Sequence, residues 1–245
     1  MASIKKEIQK MKKVSIARLL DIFDNWFWNL SLFYDVKKHG LVLMYHHVTD
    51  ELIDIDPSCI CGIHEFRHGL IRLKKEGYRF VDIKSVELFL KVQPDFKYVT
   101  VTFDDVPENV ITNAIPILRE LNIPYTLFVT KEFTHKKGYI SEEQLKDISQ
   151  DPLCTIGAHT VSHPRLKTVK NSYEELRESK RYLETLLNKD VDYLAYPYGK
   201  HSSVSYKIRC EAQKAGFKCA FGTIEAKLSK LTALYKYYLP RVIQK

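Results

Sequence analysis

The sequence predicts an α/β chain, a mostly parallel sheet covered by helices, behind an N-terminal helical extension. Three observations lead there. From Gly40 onward, short apolar runs alternate with stretches of helical periodicity, the pattern of parallel strands joined by crossover helices. With 45% hydrophobic and 28% charged residues over 245 positions, the composition suits a compact globular chain and excludes collagen-like or largely disordered ones. No stretch of the sequence approaches the roughly 18 consecutive apolar residues of a membrane span.

Residues 1–39 form the expected extension. Ile16, Leu19, Leu20, Phe23, Phe27 and Leu30 recur at spacings of three and four, the stripe of an amphipathic helix, with Trp26, Trp28, Phe33 and Tyr34 adding aromatic bulk. Arg18, Asp21, Asp24 and Asp35 interrupt the apolar segment, so it does not read as a signal peptide. Lys5, Lys6, Lys10, Lys12 and Lys13 precede the stripe. Such a helix either packs on the main domain or a second copy, or lies peripherally on an anionic membrane surface.

Residues 40–245 read as one domain of catalytic size, without repeats or a Gly/Ser-rich linker. Strands are expected at Leu41 to Tyr45, Tyr98 to Phe103, Tyr125 to Val129, Cys154 to Ala158, Tyr193 to Tyr196 and Phe217 to Phe221. Helices are expected at His64 to Lys75, Asn109 to Leu121, Ser141 to Ile148, Ser172 to Leu187 and Ser205 to Ala215. The pattern alone leaves open whether the sheet is wound open or closed as a barrel.

The formal charge of +8 favours anionic partners in general. Basic residues are spread along the chain without aromatic interleaving, so nucleic acid is not expected as a partner. Five cysteines, odd in number and uneven in spacing, do not make a disulfide scaffold and point to a reducing compartment. With no export signal, the expected location is the cytoplasm, where a peripheral helix would meet the inner face of the membrane.

Three motifs carry chemistry. Asp104 and Asp105 stand side by side where a buried strand ends, the end at which parallel α/β folds build their sites. Adjacent residues leaving a strand point in opposite directions, so the two can do different work, although either could instead cap the helix beginning near Asn109. His159 and His163, four apart after another strand, would share one face of a helical turn and could share a metal, with Pro164 starting a helix. Two neutral imidazoles and one carboxylate leave positions open for water and substrate, and the second Asp stays free as a general base. Leu194-Ala-Tyr-Pro-Tyr-Gly199 reads as a tight turn after a strand, able to present the Tyr198 backbone N–H to an oxyanion.

These residues resemble the polysaccharide deacetylases with the NodB homology domain, carbohydrate esterase family four. The resemblance rests on Thr102-Phe-Asp-Asp105, His159-Thr-Val-Ser-His163-Pro164 and Tyr196-Pro-Tyr-Gly199, in that order, with support from Leu43-Met-Tyr-His46, Phe66 to Tyr78 and Asn113-Ala-Ile-Pro116-Ile-Leu118. It spans about residues 41 to 242. It implies a distorted (β/α) barrel and a divalent metal, usually zinc, bound by Asp105, His159 and His163. Asp104 would be the base, the Tyr198 N–H would help hold the oxyanion, and Tyr196 and Pro197 would touch substrate. The implied partner is an acetylated amino sugar in glycan or cell-surface polysaccharide biosynthesis.

The chain departs from the family pattern at three places. Ala195 stands where members usually carry the Arg that orients the catalytic Asp, and the C-terminal run reads Tyr238-Leu-Pro-Arg241-Val in place of a late Leu-x-His. Some relatives share these forms. Val106-Pro107 replaces the common Gly-aromatic pair after the Asp doublet. His46, or less directly His47 or His201, is then the candidate general acid. These departures also allow two other readings: a weak or inactive carbohydrate-binding relative, or a hydrolase of another C–N or O-acetyl bond. Cys59, Cys61, His64 and His68 invite a second zinc site, but the Cys spacing is short for one.

Overall fold

The computed structural model describes residues 40–230 and 232–243, so the extension expected at 1–39 lies outside the described residues. Ten strands run in chain order: β1 Gly40–Tyr45, β2 His47–Val48, β3 Ile60–Cys61, β4 Arg79–Phe80, β5 Tyr98–Asp104, β6 Tyr125–Val129, β7 Cys154–Ala158, β8 Tyr193–Ala195, β9 Cys219–Phe221 and β10 Val242–Ile243. The α-helices are α1 Ile63–Lys75, α2 Ile83–Val92, α3 Ile115–Glu120, α4 Glu142–Ile148, α5 Ser172–Leu187 and α6 Tyr206–Lys214. The main sheet is parallel, in the order β10-β1-β5-β6-β7-β8-β9. β4 lies beside the start of β5, the position that β6 leaves open because it joins only at Val101. At the far edge Leu239 bridges β9 at Phe221, and Val242 and Ile243 then pair with β1, so the C-terminal run ties the two edges of the curled sheet together.

Both faces of this sheet are buried, which is why its strands read as continuous apolar runs. Helices cover the outside over one core that includes Leu43, Val101, Phe103, Leu127 and Leu183. The inside of the curl holds a second core, with Val42, Tyr98, Phe128, Tyr193, Ala195 and Phe221. Along β5 the two-residue period sends Val99, Val101 and Phe103 outward and puts Tyr98, Thr100, Thr102 and Asp104 on the other face. Asp104 is therefore an inward-facing residue at the carboxyl end of a central strand.

Most expected elements are present within a residue or two, with Ser141, Asn171 and Ser205 each accepting a backbone N–H as N-caps. One differs. The helix expected over Asn109–Leu121 is split into a π-helical turn, Val110–Ala114, and α3. Pro116 cannot donate a backbone N–H, and the Ile115 N–H reaches back to the Val110 carbonyl, which widens the turn. The sequence reading missed the two-residue strands β2, β3, β4 and β10 and also the helix α2, in which Ile83, Val86 and Leu90 face inward but Leu88, Phe89 and Val92 blur the stripe.

Candidate active site

The strand ends bring three loops together. Asp104 ends β5 almost wholly buried, at 2% exposure, and its two oxygens each accept a 2.6 Å bond from Nη1 and Nη2 of Arg241, which is itself fully buried. Arg241 is held in turn by its Nε donating to the Gly222 carbonyl and by Nη1 reaching Thr102 Oγ1. Burial alone would raise the Asp104 carboxyl; the Arg241 charge outweighs it and holds the group well below the usual carboxylate range.

Asp105 does not point away from its neighbour as strand alternation predicts. Its φ of +62° turns the chain, and its carboxylate comes to the same side as that of Asp104. Asp105 Oδ1 lies 3.8 Å from His159 Nε2 and 3.5 Å from His163 Nε2. Burial, reinforced by the Asp104 charge, raises this carboxyl to about 6.

The two histidines meet by a different route from the helical turn expected. Thr160 and His163 have φ of +70° and +58°, so a bent loop carries both, and Pro164 starts no helix. The loop is braced by Glu175 of α5, whose carboxylate accepts the Val161 and Ser162 N–H groups and the Ser162 hydroxyl. Thr160 Oγ1 accepts the His163 N–H. His159 Nδ1 donates to the Ala195 carbonyl at 2.8 Å, which fixes the tautomer and leaves the Nε2 lone pair facing the carboxylates of Asp104 and Asp105. Burial pushes His159 down to about 3 and also lowers His163, so both rings are neutral.

This donor set fits a divalent cation. Asp105 Oδ1 and one nitrogen each of His159 and His163 lie within 4.8 Å of one another. Ligands about 2.1 Å from a tetrahedral ion stand about 3.4 Å apart, close to the 3.5 and 3.8 Å found for Asp105 with the two rings. Lone pairs of a neutral imidazole and a carboxylate facing each other repel unless a cation lies between them.

The sequence model of the polysaccharide deacetylase family matches residues 91–220, which include both the aspartates and the histidines. The chain belongs to the polysaccharide deacetylase family. Among its relatives, a poly-β-1,6-N-acetyl-D-glucosamine N-deacetylase of Staphylococcus aureus is 28% identical over 196 residues, 73% of this chain and 66% of that one. Of solved structures, IcaB from Ammonifex degensii superposes with a TM-score of 0.75 at 25% identity, over 85% of this chain and 93% of that one. The Streptococcus pyogenes deacetylase PplD, solved with acetate, gives 0.72 at 26% identity, over 85% and 92%. The chain spans 64% of another solved relative, the Bacillus cereus polysaccharide deacetylase BC0361.

In this family member the turn after β8 behaves differently from the expectation for its substrate contacts. Tyr196 is fully buried, its hydroxyl donating to the Tyr237 carbonyl and its ring lying against Tyr238, and Pro197 is buried beside it. Both hold the turn from beneath and cannot meet a sugar. Tyr198 is the exposed one, at 46%, with φ of +59°. Its ring lies 5.1 Å from that of His163 and under the Arg165 guanidinium at 4.0 Å. Among the described residues its backbone N–H has no acceptor.

His46 stands near enough to both aspartates for its charge to lower their carboxyls. His47 is turned to Asn109, whose Oδ1 accepts the Val48 N–H and whose Nδ2 therefore donates to His47 Nδ1. His201 packs edge-on against Tyr238. The five cysteines are free thiols, and among the described residues Asp105, His159 and His163 form the sole metal-compatible cluster, so Cys59, Cys61, His64 and His68 make no second one. Sequence reasoning gave Arg241 no role. The signal was in plain view: an Arg in the C-terminal strand and an Ala where the family's Arg is usual.

Proposed function

We propose that the chain hydrolyses N-acetyl groups on an amino sugar of a polysaccharide, releasing acetate and a free amine, with Asp104 as base and zinc held by Asp105, His159 and His163. One observation carries this reading: the Asp105, His159 and His163 donor atoms converge beside a carboxylate clamped by a buried arginine. Bound there, the cation would supply Lewis acidity, lowering the pKa of water and drawing charge from a carbonyl oxygen.

The chain's own residues do the rest. Arg241 grips both Asp104 oxygens in one plane, which leaves the carboxylate a single orientation beside His159. Kept ionised, Asp104 takes the proton of the attacking water. The Tyr198 N–H donates to the acetamide oxygen as negative charge builds on it. His46, near both aspartates, hands a proton to the departing amine. The exposed Tyr198 ring offers a flat face to the sugar. Arg241 supplies the contact to the base that Ala195 lacks, which removes one ground for reading the chain as an inactive binding protein.

The relative of Staphylococcus aureus makes β-1,6-linked N-acetylglucosamine oligomers the first substrate to try, and acetate bound to a relative at 26% identity is the expected product. The test pairs metal content with acetate release. Near one zinc per wild-type chain, lost in His163→Ala, with turnover abolished in Asp104→Asn while metal stays bound, is the expected outcome. A wild type that takes up no metal from added zinc, or an Asp104→Asn enzyme with full turnover, would overturn it.

A further inference from the structure

The loops around the mouth of the site differ sharply in charge. Those that follow β6, β7 and β8, residues 130–141, 159–171 and 196–205, hold seven lysines and arginines against one acidic residue, Glu132. The loop after β2, residues 49–59, holds four carboxylates and no lysine or arginine. The excess positive charge of the chain is therefore gathered on the side of the mouth that carries His159, His163 and Tyr198.

Two of these cations are fixed next to the metal-compatible trio. The Arg165 guanidinium lies 4.0 Å over the Tyr198 ring, with Nη1 donating to Ser203 Oγ at 3.2 Å, and the Tyr198 ring is 5.1 Å from that of His163. Lys136 Nζ lies 4.2 Å over the Phe133 ring, which stacks on His163 at 5.7 Å. Burial lowers the His163 ring, and the Lys136 charge adds to that effect. One imidazole thus meets two aromatic rings, each covered by a cation. Stacking on a ring restrains a cation without neutralising it. Both side chains are exposed, and neither has a carboxylate partner among the described residues. Positive charge so close to a site suited to a divalent cation opposes metal binding, a cost that a bound anion offsets.

We infer that the substrate glycan carries a phosphate or carboxylate group beside its acetamido sugar, and that Arg165 and Lys136 receive that group at the edge of the site. The inference rests on the deacetylase reading above and narrows its substrate to an anionic glycan. Arg165 keeps Nε and Nη2 for a forked contact with two oxygens of the group, and Lys136 adds a point charge. The carboxylates of the loop after β2 repel the same group, which directs it to the side of the mouth that holds the two cations.

The experiment compares three probes on the zinc-loaded full chain: a β-1,6-linked N-acetylglucosamine tetramer, the same tetramer bearing a phosphate monoester, and the same tetramer ending in a uronic acid. Acetate release gives kcat/KM for each, and calorimetry on zinc-loaded Asp104→Asn gives Kd without turnover. The expected result at low ionic strength is a roughly tenfold preference for a charged tetramer over the neutral one in both measurements. The preference should shrink in about 1 M salt and fall to near one in Arg165→Gln/Lys136→Gln. Which charged tetramer gains tells phosphate from carboxylate. Equal values for charged and neutral tetramers would overturn the inference and leave the deacetylase reading standing. A preference that survives in the double variant would overturn it as well, since the anion would then sit on the metal. Release of acetate from none of the three, with anion-selective binding that the double variant loses, would uphold the anion site and overturn the hydrolysis.

Discussion

Replacing Arg241 by Ala is the sharpest test of how this site is built. The guanidinium and the Asp104 carboxylate are 0% and 3% exposed and meet through two 2.6 Å hydrogen bonds. Removing one partner of such a pair leaves a charge buried without compensation, which costs about 3–5 kcal/mol. For a domain of this size a kcal/mol moves Tm by about 2–4 °C, so Arg241→Ala should melt roughly 6–20 °C lower. Burial decides the size of the effect, and the protein carries its own control. Arg67 and Glu120 meet through bonds of 2.6 and 2.7 Å but are 37% and 59% exposed, so Arg67→Ala should cost a small fraction of the Arg241 loss despite equal geometry.

The assay is urea denaturation at pH 7 in chelator, which keeps metal linkage out of the comparison, run as a cycle of Arg241→Ala, Asp104→Asn and the double variant. Each single change strands a buried group, while the double change strands neither charge, so the double variant should be far more stable than the sum of the singles predicts. Additive costs, or an Arg241→Ala loss no larger than that of Arg67→Ala, would refute the argument that Asp104 depends on Arg241. Turnover supplies an independent readout: Arg241→Lys keeps one charge but cannot hold both oxygens in a plane, and its kcat should fall while metal content stays at the wild-type level.

Three further outcomes are expected. Gly157→Ala places a Cβ 2.5 Å from the Phe128 ring and 3.0 Å from the Tyr193 carbonyl, so overpacking should cost about 1–3 kcal/mol by denaturant titration; an unchanged midpoint would mean that β7 shifts freely. Tyr198→Ala keeps the backbone N–H and should chiefly raise KM in an acetate-release assay, leaving kcat near the wild-type value; a kcat loss of about 10²–10³ in this variant would move the role from the N–H to the side chain. Asp151 is partly buried, which raises its carboxyl, but Arg119, the Leu153 N–H and the Tyr125 hydroxyl outweigh this and lower it. Its stabilisation is therefore present above the unfolded carboxyl value near pH 4 and lost as pH falls below it, so Asp151→Asn should flatten the acid limb of the stability curve, and an unaltered limb would deny the pair this part.

The six strands of three residues or more were legible because a parallel sheet buried on both faces leaves long apolar runs, as in Tyr98–Asp104 and Tyr125–Val129. The metal-compatible trio was legible because Asp105, His159 and His163 follow such runs directly. Arg241 was not, since its partner Asp104 is 137 positions away and only closure of the sheet by β10 brings them together. Tyr196 was misread for a related reason: period and turn chemistry place a residue on a loop but do not say that Tyr237 and Tyr238 will close over it.

The least legible feature is the backbone itself. Asp105, Val106, Thr160, His163 and Tyr198 all have φ between +54° and +70°, a region that costs a residue with a Cβ about 1–2 kcal/mol. Glycine would adopt it freely, yet glycine has no carboxylate or imidazole to offer, so at Asp105 and His163 the chemistry requires the side chain and the fold must hold the strained turn. The restraints are visible: the Ile140 N–H donates to the Val106 carbonyl, Thr160 Oγ1 receives the His163 N–H, and the Thr223 hydroxyl donates to the Tyr198 carbonyl. Without these left-handed turns, Asp105 would leave β5 on the face opposite Asp104, and the two carboxylates could not both face His159. The strain is thus what converts a doublet on a strand, whose members should diverge, into one clamped base and one ligand side by side.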